Sequence, residues 1–405
     1  MVKSAMVKNV VERNALYEQI KSAIVSRTEH VEKLQDEEIK EFIDEELCAV
    51  SQQSQLSIEM RKELEKDIFN GLRRLDVVQD LMEDEEDTEI MINGFEYIFY
   101  EKKGKLYRYP KQFHSKERYL DMIWKIAGDN NRIVNEAVPI MDTTLTDGSR
   151  VNIIMNPIAI EGPVMCIRKF QNHRMNLEEL IRLKSLDQKL ANFLISLVEH
   201  RYNLFIYGGT GSGKTVLLNA LSEYIPEDER IVTIEDAAEL DLKQVNNLVR
   251  LQVRTATLEG KNEVTVRNLL KASLRLRPDR IILGEVRGGE CVDLLQVLNT
   301  GHAGSFSTGH GNSCDEMIDR IATMVLMGID MPLQAVLHQI ASGIDIMVQV
   351  GRCKDGTRKI LSVDEVIGVE GDRVKTSVLV QFHQNDSWQF MNPLQNKKKL
   401  EQYGK

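Results

Sequence analysis

The run Gly208-Gly209-Thr210-Gly211-Ser212-Gly213-Lys214-Thr215 combines residue types that suit a single task, the binding of phosphate. Glycines allow the backbone to curl until successive N–H groups face one concavity, which cradles phosphate oxygens. The run fits the GxxxxGK[ST] pattern, the Walker A loop. In that pattern Lys214 reaches the outer phosphates, the Thr215 hydroxyl ligates Mg²⁺, and the helix expected from Thr215 adds its positive dipole end. Val216 follows in the first turn, and together with Glu235 and Asp236 further along it belongs to the expected nucleotide-binding set. A glycine-rich surface loop would not need the context seen here, a strand (NLFIYG) before and a helix (TVLLNALSEY) after. The chemistry implied is Mg²⁺-dependent hydrolysis of ATP.

Such a site needs carboxylates to organise Mg²⁺ and the attacking water. Two stretches place them at the carboxyl ends of short apolar strands, where open α/β sheets bind their ligands. One is Thr233-Ile234-Glu235-Asp236-Ala237-Ala238-Glu239, after RIVTIE; the other is Ile281-Ile282-Leu283-Gly284-Glu285, after the turn Pro278-Asp279. A generic Walker B strand has Asp where this chain has Gly284. Two histidines, His302 and His310, stand in TGHAGSFSTGH on either side of a strand-like segment. They suit phosphate sensing or coupling to a neighbouring subunit. No third ligand accompanies them, so metal binding is not expected there.

The elements that must hold these residues follow from periodicity. VVERNALYEQIKSAIV and EEIKEFIDEEL carry apolar stripes at helical spacing, predicting a helical region over residues 1–75. The acidic run Glu83–Asp87 reads as a solvated loop. TEIMINGFEYIFYE is two strands about an Asn93-Gly94 turn. KERYLDMIWKIAGD reads as a helix, and strands return through Phe170 with Asp147-Gly148 as a turn, giving an α+β unit over 76–170. Residues 171–176 read as a linker. From 177 to 350, strands alternate with helices, predicting a largely parallel sheet covered on both faces. Residues 351–405 read as hairpin strands, turning at Asp355-Gly356, and a frayed polar tail.

Net charge is −10 and the isoelectric point about 5.5. That balance disfavours a chain whose main work is neutralising nucleic-acid phosphates. The amino terminus is too charged for a secretory leader, and no apolar run approaches the roughly 18 residues that cross a bilayer. A cytoplasmic chain without direct membrane insertion is expected. Cys48, Cys166, Cys291, Cys314 and Cys353 are scattered without a CxxC pair, as free thiols in a reducing compartment would be.

In order, GGTGSGKT, TIEDAAEL, LRPDRIILGEVRGGE and NTGHAGSFSTGH resemble the Walker A, Asp box, atypical Walker B and His box of the type II/IV secretion ATPase superfamily. Gly284 is ordinary in that superfamily. TEIMING, MDTTLTDGSRVNIIMNP and GPVMCIRKF are most similar to the CpaF branch, the tight-adherence (Tad) pilus ATPases. The resemblance implies a RecA-like P-loop core preceded by a PAS-like α+β domain. It implies Glu239 as general base, Glu285 as the Walker B glutamate near Mg²⁺, and His302 and His310 as the His-box pair. Arg150 and Arg168 match amino-terminal arginines that approach the phosphates. It further implies a homo-hexamer on the cytoplasmic side of the inner membrane, held to membrane platform proteins. A conjugation-type traffic ATPase is the alternative within the superfamily; a nucleic-acid translocase and a nucleotide-gated scaffold lie outside it. The missing tetracysteine zinc insertion favours the Tad or conjugation branches, and the helical amino-terminal region favours Tad.

Overall fold

The computed structural model describes residues 2–27, 34–53, 56–170, 175–242, 244–254, 262–383 and 387–404, with the side chains of 2–12 and 52–53 also outside the description. Residues 171–174 of the expected linker therefore lie outside the described residues. The chain forms two compact units, 1–171 and 172–405.

The first unit opens with α1 (Val2–Arg27), α2 (Asp36–Gln53) and α3 (Ile58–Arg73). Their apolar stripes, including Tyr17, Ile20 and Ile24, Ile39, Ile43 and Leu47, and Leu64 and Ile68, close on one another. A short α4 (Gln79–Glu83) leads to β1 (Asp87–Asn93), β2 (Tyr97–Lys102), β3 (Lys105–Arg108), α5 (Lys116–Asp129), β4 (Ile140–Thr144), β5 (Arg150–Ile154) and β6 (Val164–Arg168). These strands make a six-stranded antiparallel sheet in the order β3-β2-β1-β6-β5-β4. Alternate residues such as Ile90, Ile92, Val151, Ile153, Met165 and Ile167 cluster with the apolar side of α5. The helical region meets this sheet domain at a buried pair just past α3, and Lys125 of α5 also donates to the carbonyls of Leu72 and Arg74. Arg118 of α5 grips Asp76 with two bonds, Nε at 2.7 Å and Nη2 at 2.6 Å, beneath the ring of Tyr17. The acidic run is less solvated than its composition suggests. Asp87 begins β1 and is buried, because strand pairing draws it under, and burial raises its carboxyl above the ordinary range.

The second unit runs α6 (Leu177–Arg182), α7 (Gln188–Glu199), β7 (Leu204–Tyr207), α8 (Lys214–Ser222), β8 (Arg230–Glu235), β9 (Asn247–Gln252), α9 (Val266–Ser273), β10 (Arg280–Leu283), α10 (Cys291–Asn299), β11 (Phe306–Gly309), α11 (Cys314–Gly328) and α12 (Leu333–Gly343). It finishes with β12 (Ile346–Arg352), β13 (Arg358–Glu370), β14 (Arg373–His383), β15 (Ser387–Phe390) and α13 (Lys398–Tyr403). One nine-stranded sheet has the order β15-β14-β13-β12-β7-β11-β10-β8-β9. From β12 to β9 the pairings are parallel, and the strands beyond β12 are antiparallel. Strands β7 and β10 are buried along their whole length, with an apolar cluster on each face of the sheet. This is a RecA-like α/β core. The carboxyl-terminal hairpins extend that same sheet.

The tail does not fray. Buried Glu365 accepts the amides of Gln395 at 2.8 Å and Asn396 at 2.6 Å, and Lys399 pairs with Asp345 at 2.5 Å. A polar sequence docks here because a buried carboxylate needs donors. No single helix among the described residues is long and apolar enough to cross a membrane.

Candidate active site at the carboxyl ends of the strands

The Walker A loop connects β7 to α8. Its special backbone lies at Gly211 (φ 67°) and at Gly213 (φ 96°), the residue that opens α8, conformations in which a side chain would be strained. Lys214 is buried, and its ammonium donates to the carbonyls of Gly208 at 3.1 Å and Gly209 at 3.0 Å. The Ser212 hydroxyl is buried without a hydrogen-bond partner among the described residues.

The other site residues arrive in an order set by the sheet. Strands β7, β11, β10 and β8 lie side by side, and the segments that follow them carry Lys214, His310, Glu285 with Arg287, and Asp236. Lys214 Nζ lies 3.4 Å from His310 Nδ1, just past β11. His310 Nε2 lies 2.7 Å from Glu285 Oε1, just past β10, at ion-pair distance but out of line for a hydrogen bond. Arg287 donates to Glu285 Oε2 at 2.8 Å and reaches Asp236, just past β8, at 3.4 Å. Thr215 donates to Glu239 Oε2 at 3.4 Å, which brings the Asp box back to the foot of α8.

These contacts set protonation. Burial raises the Glu285 carboxyl, but the bond from Arg287 and the charges of Arg287, His310 and Lys214 outweigh it and leave it below the ordinary range. Burial and then the Lys214 ammonium lower His310, against the opposing pull of Glu285. Beside the Lys214 ammonium, Nδ1 can only accept.

Glu235, expected among the nucleotide-binding residues, also braces the chain. It is buried, and its Oε2 accepts the amides of Glu239 at 2.8 Å and Leu240 at 2.7 Å. It is therefore a positioning residue for the loop that carries Glu239. Burial raises its carboxyl, opposed by those two amide bonds. Gly284 fits the same packing: a Cβ there would stand 3.2 Å from Glu235 Cγ.

His302 is not brought to this cluster. It precedes β11, at the opposite end of the strand from His310, with Nδ1 3.3 Å from the Val297 carbonyl. The segment around it seals the sheet's other end. Asn203 Oδ1 accepts the amides of Gly304 and Ser305, and the Ser305 hydroxyl donates to the His302 carbonyl. In the first unit, Arg150 and Arg168 face each other as direct partners across β5 and β6. Glu89 of β1 is the partner of Arg168 on its other side, so a carboxylate stands next to the pair within the sheet.

Arg287 was not singled out from sequence. Its signal was available, a guanidinium two residues beyond a strand-end carboxylate, but nothing local says that it bridges two strands. For ATP and Mg²⁺ the residues present fit. The loop carries the required glycines, Ser212 Oγ and Glu285 Oε1 are buried without hydrogen bonds among the described residues, and Thr215 and Glu285 are the oxygen donors Mg²⁺ prefers.

A family model described as type II/IV secretion system protein matches residues 74–384. The chain is 33% identical over 303 residues to a putative conjugal transfer protein of Mycobacterium tuberculosis, covering 73% of this chain and 85% of that one. It is 30% identical over 317 residues to the type IV secretion system protein VirB11 of Brucella suis, covering 71% and 88%. The solved structure of the ATPase DotB of Legionella pneumophila is similar in fold, with a TM-score of 0.52 at 20% identity over 74% of this chain and 81% of that one.

Proposed function

We infer that this chain, which belongs to the type II/IV secretion system protein family, is an ATP-hydrolysing motor of a conjugation-type secretion machine. One observation carries the reading. Beside a Walker A loop, Lys214, His310, Glu285, Arg287 and Asp236 form an unbroken row across four adjacent strand ends. The relatives named for conjugal transfer and type IV secretion support the conjugation branch. A Tad pilus motor is the second reading, favoured by the helical region 1–75 and the segments TEIMING and GPVMCIRKF.

In the proposed reaction the loop amides and Lys214 hold the phosphates. Mg²⁺, held by Thr215 and Glu285, would neutralise charge on the phosphate oxygens. Glu239 takes the proton of the attacking water at its carboxylate, and Glu235 keeps it in position. His310, between Lys214 and Glu285, is placed to sense loss of the outer phosphate. Arg150 and Arg168 supply further positive charge for the γ-phosphoryl oxygens. A hexameric ring, cytoplasmic and tied to inner-membrane platform proteins, would convert turnover into movement. His302, away from the phosphate loop, is left the task of coupling to a neighbouring subunit.

Steady-state phosphate release by the purified full chain tests this. Glu239→Gln and Glu285→Gln should each retain ATP binding and lose turnover by about 10²- to 10⁴-fold, the range for removing an acid–base group. Parental turnover in either variant removes that residue's role. Activity that rises with added DNA and falls steeply with salt would favour a nucleic-acid translocase instead.

A further inference from the structure

The turn between β12 and β13 is fastened to the Walker A loop. Strand β12 runs parallel to β7, with Gln349 beside Tyr207, so the next residue, Val350, lies against Gly208. A Cβ on Gly208 would stand 2.0 Å from the Val350 carbonyl oxygen, so only glycine permits this approach. At the apex of the loop, exposed Arg358 donates from Nε to the Gly211 carbonyl at 2.7 Å. The turn that carries Arg358 is itself braced. Cys353 donates to the Thr357 carbonyl at 2.8 Å, and Asp355 accepts from the amide and the hydroxyl of Thr357.

A planar trans peptide points its C=O and its N–H in opposite directions. With the Gly211 carbonyl held outward by Arg358, the Ser212 N–H of the same peptide is turned into the loop. It lies there 3.4 Å from the Gly209 carbonyl, a long contact that a phosphate oxygen would improve on. Gly211 has no Cβ to resist a flip of this peptide, so an external tether is what fixes it. We propose that Arg358 is a positioning residue for nucleotide binding, acting through the hydrogen bond from Nε that orients the Gly211–Ser212 peptide.

The proposal rests on the reading that this loop binds nucleotide, and its test separates the two. Fluorescent Mg-ADP is titrated into the purified full chain and into Arg358→Ala, Arg358→Gln and Arg358→Lys. Glutamine carries an N–H donor at the same reach as Arg Nε but no charge, whereas lysine keeps the charge and has a methylene at that position. Arg358→Ala should bind Mg-ADP about tenfold more weakly, with turnover at saturating ATP within about twofold of parental, since the tether acts on binding. Glutamine should restore most of the affinity and lysine little. Parental affinity in Arg358→Ala overturns the proposal, and so does recovery by lysine but not by glutamine, which would reveal simple attraction between charges. A parental chain that fails to bind Mg-ADP overturns the underlying reading as well. Glutamine and lysine are close in size, so their contrast decides the matter even if alanine lowers the unliganded melting temperature.

Discussion

The two ends of the nine-stranded sheet handle charge in opposite ways. At the amino end of β10, Arg280 is 0% exposed and binds Glu229 at 2.5 and 2.9 Å and the carbonyls of Val198 and Gly304. Gly304 has no room for a side chain, because a Cβ would stand 2.6 Å from Arg280 Nη1. At the carboxyl end of the same strand, Glu285 meets Arg287, whose side chain is 60% exposed, and His310, which is 33% exposed. One end satisfies its charges within the fold. The other keeps them within reach of solvent and of a ligand. Arginines recur at both ends of this sheet, and His302 and His310 share even their Thr-Gly-His context, so the end of the strand a residue occupies is what separates packing from chemistry.

Breaking the sealed end should have the largest effect. Glu229→Ala leaves the Arg280 guanidinium buried without its carboxylate, which costs about 3–5 kcal/mol. Urea unfolding should show that loss, while phosphate release per folded molecule stays near parental. Glu229 also pairs with Arg201 at 3.1 Å, so its loss strands two cations, and a loss below about 1 kcal/mol would mean that water takes the carboxylate's place.

Lys214→Ala attacks the open end. It removes the cation that meets the outer phosphates, and turnover should fall by about a hundredfold to a thousandfold, as on losing one electrostatic group of a preorganised site. Stability without nucleotide should fall only modestly, by about 1–2 kcal/mol, because the bonds lost are those to the Gly208 and Gly209 carbonyls. Unfolding together with loss of turnover would place Lys214 on the structural side of the comparison.

The smallest effect sharpens the comparison most. His302→Ala and His310→Ala alter two residues that share the Thr-Gly-His context. Single-turnover hydrolysis should fall by about tenfold or more in His310→Ala, which loses its contacts to Lys214 and Glu285, and stay within about twofold in His302→Ala. Equal losses would mean that both ends of β11 serve the chemistry.

Much of the site was legible because its parts are local. The phosphate loop is a contiguous run whose glycines, lysine and threonine work on one another's backbone. Strand-end carboxylates could be picked out by their position after apolar runs. The same logic could not divide His302 from His310, since both flank the same strand. Nor could it see that Glu235 supports Glu239, a matter of which carboxylate finds buried amides. The docked tail was misread for a related reason, since polar composition alone does not reveal a partner such as Glu365.

Composition, period and the Gly-rich motif by themselves determined a phosphate-binding α/β core with carboxylates at its strand ends, because each of those signals is written within a few consecutive residues. The order of the strands was decided only in three dimensions. Placing β11 between β7 and β10 sets His310 between Lys214 and Glu285, and placing β12 beside β7 sets Arg358 over Gly211. Pairing between strands far apart in the chain depends on the whole sheet and on the burial of both its faces, and no stretch of sequence records its neighbour.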